Sequence, residues 1–191
     1  MTLNNSKNLS LFLKKNYVIW ITGLSGSGKT TVATELFSQL RGFSNNVILL
    51  DGDELRTAMQ IDYNDHTNFT RESRIKLAHK YSNLAKLLSS QGFTVIVATI
   101  SMFNEIYAYN KKTIKNYFEI YLEVPLEILK KRNSKHIYSN YDKNMNKNVA
   151  GLDSKVDIPY DCDLVIDNND NEISTINIVN KILNKIGDKN C

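Results

Sequence analysis

The chemistry of this chain is concentrated in eight consecutive residues, Gly23-Leu24-Ser25-Gly26-Ser27-Gly28-Lys29-Thr30, which satisfy G-x-x-x-x-G-K-[ST] at every defined position. Glycines let a backbone wrap closely around a polyphosphate and turn its N–H groups inward. Lys29 has the reach to neutralise β- and γ-phosphates, and the Thr30 hydroxyl is a magnesium ligand of the right type. Such a loop works only between a buried strand and the N-terminus of a helix, whose dipole adds positive potential. Both are present. YVIWI at 17–21 is a continuous apolar run, and TTVATELFSQL from Thr30 and Thr31 onward places Val32, Leu36 and Leu40 at helical spacing. The loop implies ATP, or a nucleotide like it, bound with Mg²⁺.

Strand-like and helix-like segments then alternate. NVILL at 46–50, FTVIVATI at 93–100, FEIYLEV at 118–124 and DLVID at 163–167 read as four further strands. Helical patterns cover 71–90, closed by Gln91-Gly92, then 102–116, LEILKKR after Pro125, and 173–186. The pattern predicts an α/β protein: a three-layer P-loop NTPase fold with a mostly parallel five-stranded sheet and helices on both faces. Residues 133–161 are polar and lack apolar periodicity, which marks a binding loop or lid. The segment LSLFLKK within residues 1–16 reads as an appendage lying on a single domain that spans 1–191.

The second strand narrows the chemistry. It ends in Asp51-Gly52-Asp53, whereas the third strand ends without the carboxylate that many P-loop ATPases place there. Asp51 and Asp53 are therefore the candidates for holding Mg²⁺ through water and for accepting a proton from an attacking hydroxyl. Asp53 also stands where an N-cap would, ahead of ELRTAM.

Composition sets outer bounds. The chain has 191 residues, 42% hydrophobic and 23% charged, enough for one well-buried core. A net charge of +4 suits an anionic small molecule as well as nucleic acid; the absence of basic runs with interleaved aromatics argues against nucleic acid as partner. Cys162 and Cys191 form no disulfide or metal-ligand pattern, so a reducing cytoplasm is expected. No apolar run approaches the ~18 residues of a membrane span, and no signal-peptide pattern opens the chain.

WITGLSGSGKTT, LLDGDELR, ISMF, LEVPLEILKKR and AGLDS, in that order from about Tyr17 to Asp167, resemble the adenylylsulfate kinases. That family transfers phosphate from ATP to the ribose 3′-hydroxyl of adenosine 5′-phosphosulfate. The resemblance implies a lid over 133–160 and commonly a homodimer. It implies Asp53 as catalytic base beside Lys29, with Thr30 and Asp51 on the metal side. Arg56 and Arg74 match acceptor-phosphate contacts, Phe69 a ring that stacks on the acceptor base, Ile100 and Ser101 acceptor-pocket backbone, and Arg132 a residue near the ATP adenine.

The departures from the family pattern fall on the acceptor side. D-R-x-x-N-I-R-R reads Ser73-Arg74-Ile75-Lys76-Leu77-Ala78-His79-Lys80, placing Leu77 where the family has asparagine. I-S-P-Y-R reads Ile100-Ser101-Met102-Phe103-Asn104, without proline or arginine. G-L-Y-K-K aligns with His136-Ile137-Tyr138-Ser139-Asn140, keeping Tyr138 but neither lysine. F-T-G-I-D aligns with Val149-Ala150-Gly151-Leu152-Asp153, replacing a ring by Val149 and keeping Gly151. An aromatic clamp contributes about 1–3 kcal/mol per stacked base, so its loss argues against an adenine acceptor. A branch of the family that phosphorylates cytidine diphosphoramidate, in capsular O-methyl phosphoramidate synthesis, fits these departures. Adenylylsulfate phosphorylation in sulfate assimilation, and nucleotide binding without turnover, are the alternative readings.

Overall fold

The computed structural model describes residues 15–143, 147–169 and 174–188. The expected N-terminal appendage lies outside them except for its last residues. Five strands form one sheet in the order β2-β3-β1-β4-β5, and all four ladders are parallel. The strands are β1 (Val18–Thr22), β2 (Val47–Asp51), β3 (Thr94–Ala98), β4 (Tyr117–Glu123) and β5 (Leu164–Asp167). Between and after them run α1 (Lys29–Arg41), α2 (Gly52–Ala58), α3 (Arg71–Ser90), α4 (Asn104–Thr113), α5 (Leu126–Arg132), α6 (Ile137–Asp142) and α7 (Thr175–Asp188).

Strands covered on both faces need apolar side chains in both directions, hence their continuous runs. On one face Val32, Leu36 and Leu40 of α1 join Ile178, Val179, Ile182 and Ile186 of α7 over Ile19, Ile21, Ile96 and Ile120. On the other, Ala78, Tyr81 and Ala85 of α3 and Ile106 of α4 pack on Val18, Trp20, Val95 and Val97. Each fully buried side chain of this kind contributes about 1.5–3 kcal/mol, so the two layers fix β1 at the centre of the sheet. Thr70 caps α3, its hydroxyl accepting from the Ser73 N–H at 3.3 Å, and Gly92 at φ +95° lets the chain turn out of it.

Two departures from the expected pattern have clear physical causes. α4 begins at Asn104 rather than 102, because Met102 and Phe103 are buried in the strand-to-helix connection instead of continuing a helical face. The polar stretch 133–161 is also less irregular than its composition implied. A short 3₁₀ turn, Ser134–His136, leads into α6, which is anchored by one buried ring, Tyr138. A six-residue helix is too short to show apolar periodicity, which is why the sequence pattern missed it.

One core position is chemically unusual. Glu119 of β4 is fully buried, its Oε1 accepting from the Tyr117 hydroxyl at 2.9 Å while Lys111 Nζ stands 3.8 Å from Oε2. Burial pushes its carboxyl up to about 7, against the opposing pull of Tyr117 and Lys111. The folded state thus holds this proton at pH values where the unfolded chain has released it. Stability falls as pH rises from the unfolded carboxyl's ~4.3 to about 7, and the full loss persists above that. Glu119→Gln is therefore expected to melt higher than the parent at pH 8, by about 1–3 kcal/mol, with the gap closing toward pH 4.5. Differential scanning calorimetry at both pH values checks this; a pH-independent gap contradicts it.

Candidate active site

The glycine loop turns between β1 and α1 where side chains other than hydrogen do not fit. At Gly23, φ +152°, an added Cβ would come within 2.7 Å of both the Leu122 carbonyl and Ser27 Oγ. Gly28 sits in the left-handed region at the head of α1, with Asn168 Nδ2 2.7 Å from where a Cβ would be. Donors occupy the successive loop carbonyls. Lys29 Nζ donates to Leu24 O at 2.8 Å, the Tyr138 hydroxyl to Ser25 O at 2.9 Å, and Asn168 Nδ2 to Ser27 O at 2.8 Å. Arg132 reaches Gly26 O at 3.5 Å and the Asn168 carbonyl at 2.8 Å. With its carbonyls held this way, the loop leaves the first-turn N–H groups of α1 for an anion.

Asp51 lies beside this loop and is nearly buried. Its Oδ2 accepts from the Thr30 hydroxyl at 2.7 Å, and its Oδ1 accepts from the Asp53 N–H at 2.9 Å, capping α2. The N-cap expected at Asp53 therefore belongs to Asp51. Asp53 occupies the first turn of α2, exposed on a cavity wall. A hydroxyl and a carboxylate beside a phosphate loop fit Mg²⁺, which takes few protein ligands and completes its shell with water and phosphate. Among the described residues, no cluster of three or more metal-ligating side chains competes for that role.

The cavity, about 990 Å³, is lined by Asp53 and also by a cationic group of residues, Arg56 and Arg74 with Phe69. The guanidinium carbons of Arg56 and Arg74 lie 5.2 and 5.5 Å from the centre of the Phe69 ring. Arg74 donates to the carbonyls of Phe69 at 2.8 Å and Asn148 at 2.9 Å. Burial, and then the charge of Arg56, push Arg74 down to about 10, so it remains a cation at neutral pH. Arg56 Nη1 is buried with no hydrogen-bond partner among the described residues. Two mutually repelling cations and an unmet donor call for an anion between them. Leu77, Ile100, Ser101 and Val149 complete this side, with Ser101 at φ +22° and its hydroxyl 2.9 Å from that of Thr99.

Most of the expected site residues thus meet at one cavity. Ser25, Gly26, Gly28, Lys29, Thr30, Thr31, Asp51, Asp53 and Arg132 border its loop side. Gly23, Leu24 and Ser27 shape the loop from behind. Tyr138 and Gly151, expected at the acceptor, are placed elsewhere. Tyr138 is 1% exposed beneath the loop, and Gly151 backs onto the Leu24 side chain, 2.9 Å from its added Cβ. Tyr63, His66, Tyr81, Thr99 and Lys147 also border the cavity, and no motif pointed to them; Phe103, from the ISMF match, borders it too.

A glycine loop on α1, a paired Thr30–Asp51 and a carboxylate facing an anion-binding wall define a P-loop phosphotransferase. The adenylylsulphate kinase family matches residues 15–167, and the chain belongs to it. It is 48% identical over 160 residues to the cytidine diphosphoramidate kinase of Campylobacter jejuni, covering 82% of this chain and 89% of that protein. Identity to the probable adenylyl-sulfate kinase of Archaeoglobus fulgidus is 34% over 157 residues, 82% of this chain and 99% of that one. Among solved structures, Mycobacterium tuberculosis APS kinase CysC in complex with AMPPNP and APS superposes with a TM-score of 0.80 at 27% identity, covering 90% of this chain and 98% of that one. The protein is an ATP- and Mg²⁺-dependent kinase of this family.

The two carboxylates are separable by mutation. Asp53→Asn is expected to leave melting temperature and ATP affinity near parental values while kcat falls ~10²-fold or more. Asp51→Ala is expected to lose about 1 kcal/mol of stability with its cap, as well as turnover. Calorimetry and ADP-release assays check both; parental turnover in Asp53→Asn contradicts the assignment.

Proposed function

We propose that this kinase phosphorylates the ribose 3′-hydroxyl of cytidine diphosphoramidate, in the assembly of capsular O-methyl phosphoramidate. The observation that carries the reading is that one cavity is lined by the phosphate loop, by Asp53 and by the paired Arg56 and Arg74. An acceptor anchored by its phosphates at the arginines presents its sugar to Asp53. There the carboxylate takes the hydroxyl proton as the 3′-oxygen bonds to the γ-phosphorus and the β–γ bridging P–O bond breaks, releasing ADP. Lys29 and the loop N–H groups offset charge on the transferring group.

The cytidine conjugate is favoured over adenylylsulfate by the aliphatic Val149 and Leu77 on the acceptor wall, which stack poorly on a purine. The higher identity to the Campylobacter jejuni protein points the same way. The reading includes a cytoplasmic setting, where ATP and Mg²⁺ are supplied, a homodimeric state, and a lid role for residues 133–160. The interlock of Asn148 with Arg74 and with the His66 carbonyl at 3.2 Å supports that lid role.

Under this reading kcat/KM is at least about tenfold higher for cytidine diphosphoramidate than for adenosine 5′-phosphosulfate. Val149→Phe combined with Leu77→Asn narrows the gap by ~1–2 kcal/mol, the scale of one stacking contact. Steady-state ADP release with each acceptor measures both. Equal or better efficiency with adenosine 5′-phosphosulfate overturns the acceptor and leaves sulfate assimilation as the role.

A further inference from the structure

Arg74 owes its orientation to two carbonyls. Its Nε donates to Phe69 O at 2.8 Å and its Nη2 to Asn148 O at 2.9 Å, while Nη1 makes no hydrogen bond among the described residues. The two carbonyls are themselves linked. Phe69 ends the 3₁₀ turn His66–Phe69, and the Asn148 side-chain amide donates at 3.2 Å to the carbonyl of His66, which begins it. Guanidinium, turn and Asn148 thus close a ring of hydrogen bonds around the Arg74 side chain.

Asn148 can close this ring because of its backbone. At φ +57° it lies in the left-handed region, which glycine and asparagine adopt readily and β-branched residues do not. The Asp153 carboxylate holds that turn, its Oδ2 accepting from the Asn148 N–H at 2.8 Å and its Oδ1 from the Val149 N–H at 2.6 Å. Lys147 and Val149, on either side, line the cavity. An untethered arginine samples many rotamers, and a ligand that must order it loses affinity by that entropy. A guanidinium already tied through Nε and Nη2 meets an anion with its Nη1 donors preset.

We infer that Asn148 is a positioning residue for acceptor binding, whose left-handed backbone turns a carbonyl onto Arg74 and fixes that guanidinium for the acceptor's phosphates. The inference rests on the reading that Arg74 holds those phosphates. The effective group is the backbone carbonyl, so the side chain at 148 matters chiefly through the conformation it permits. Glycine, chemically remote from asparagine, therefore preserves the role, whereas alanine and then valine erode it.

The test measures KM and kcat for acceptor and for ATP, with melting temperatures, in Asn148→Gly, Asn148→Ala, Asn148→Val, Arg74→Ala, and Arg74→Ala combined with Asn148→Val. It uses whichever nucleotide acceptor the parent phosphorylates, so the base assigned under the proposed function does not decide the outcome. Asn148→Val is expected to raise acceptor KM about tenfold with ATP KM unchanged, Asn148→Gly to stay within about threefold of the parent, and Asn148→Ala to fall between them. In the Arg74→Ala background Asn148→Val is expected to add less than about twofold, because its effect passes through that guanidinium. Parental acceptor KM in Asn148→Val overturns the inference. So does Asn148→Gly impaired as far as Asn148→Val, a parallel rise in ATP KM, or the full effect persisting in the Arg74→Ala background. Parental acceptor KM in Arg74→Ala overturns the reading of Arg74 as phosphate anchor, and the inference with it; an impaired Arg74→Ala beside a parental Asn148→Val overturns the inference alone. Should Asn148→Val not fold, Asn148→Ala against Asn148→Gly decides the same question, and equal acceptor KM in those two overturns the inference.

Discussion

The site depends on how one nearly buried carboxylate divides its two oxygens. Asp51 gives one to the Thr30 hydroxyl, at the head of the helix that follows the phosphate loop, and one to the Asp53 N–H, at the head of α2. The first bond aims the Thr30 side chain where a magnesium–phosphate complex belongs. The second starts the helix on which Asp53 and Arg56 stand three residues apart, and so on one face. The phosphate loop and the helix of Asp53 and Arg56 are thereby referenced to a single group. The strand order makes this necessary: β3 lies between β1 and β2, so no ladder joins the phosphate loop's strand to that of Asp51.

The loop itself is supported from distant parts of the chain. Arg132 at the end of α5, Tyr138 of α6 and Asn168 after β5 each bond a loop carbonyl. Ordering these groups costs entropy that a loop of glycines could not offset alone. α6 therefore braces the loop from beneath through Tyr138. The Asn148 carbonyl accepts from Arg74 on the arginine wall of the cavity.

The fold was legible because doubly covered parallel strands must be apolar throughout, and all five runs became strands with boundaries shifted by a residue or two. α3 was legible from its apolar pattern and its end at Gln91-Gly92. The phosphate loop and Asp51-Gly52-Asp53 were legible because their chemistry is local in sequence. What escaped is non-local or turns on which way a side chain faces. Tyr138 matched an acceptor motif but faces inward, its hydroxyl taken by the Ser25 carbonyl. Capping fell to Asp51 rather than Asp53, a difference of two residues set by where β2 ends. Tyr63 sits in a loop with no periodicity, and only the folded chain brings it beside Asp53.

The central claim is that Asp53 directs the γ-phosphoryl group onto a ribose 3′-oxygen of a nucleotide held by Arg56 and Arg74. Phosphorus NMR of the product formed from ATP, Mg²⁺ and cytidine diphosphoramidate reads this directly. A new monoester resonance coupled to the ribose 3′ proton is expected, appearing in step with ADP while the diphosphoramidate signals persist. ADP accompanied only by inorganic phosphate, or a phosphate on any other oxygen of the acceptor, contradicts it.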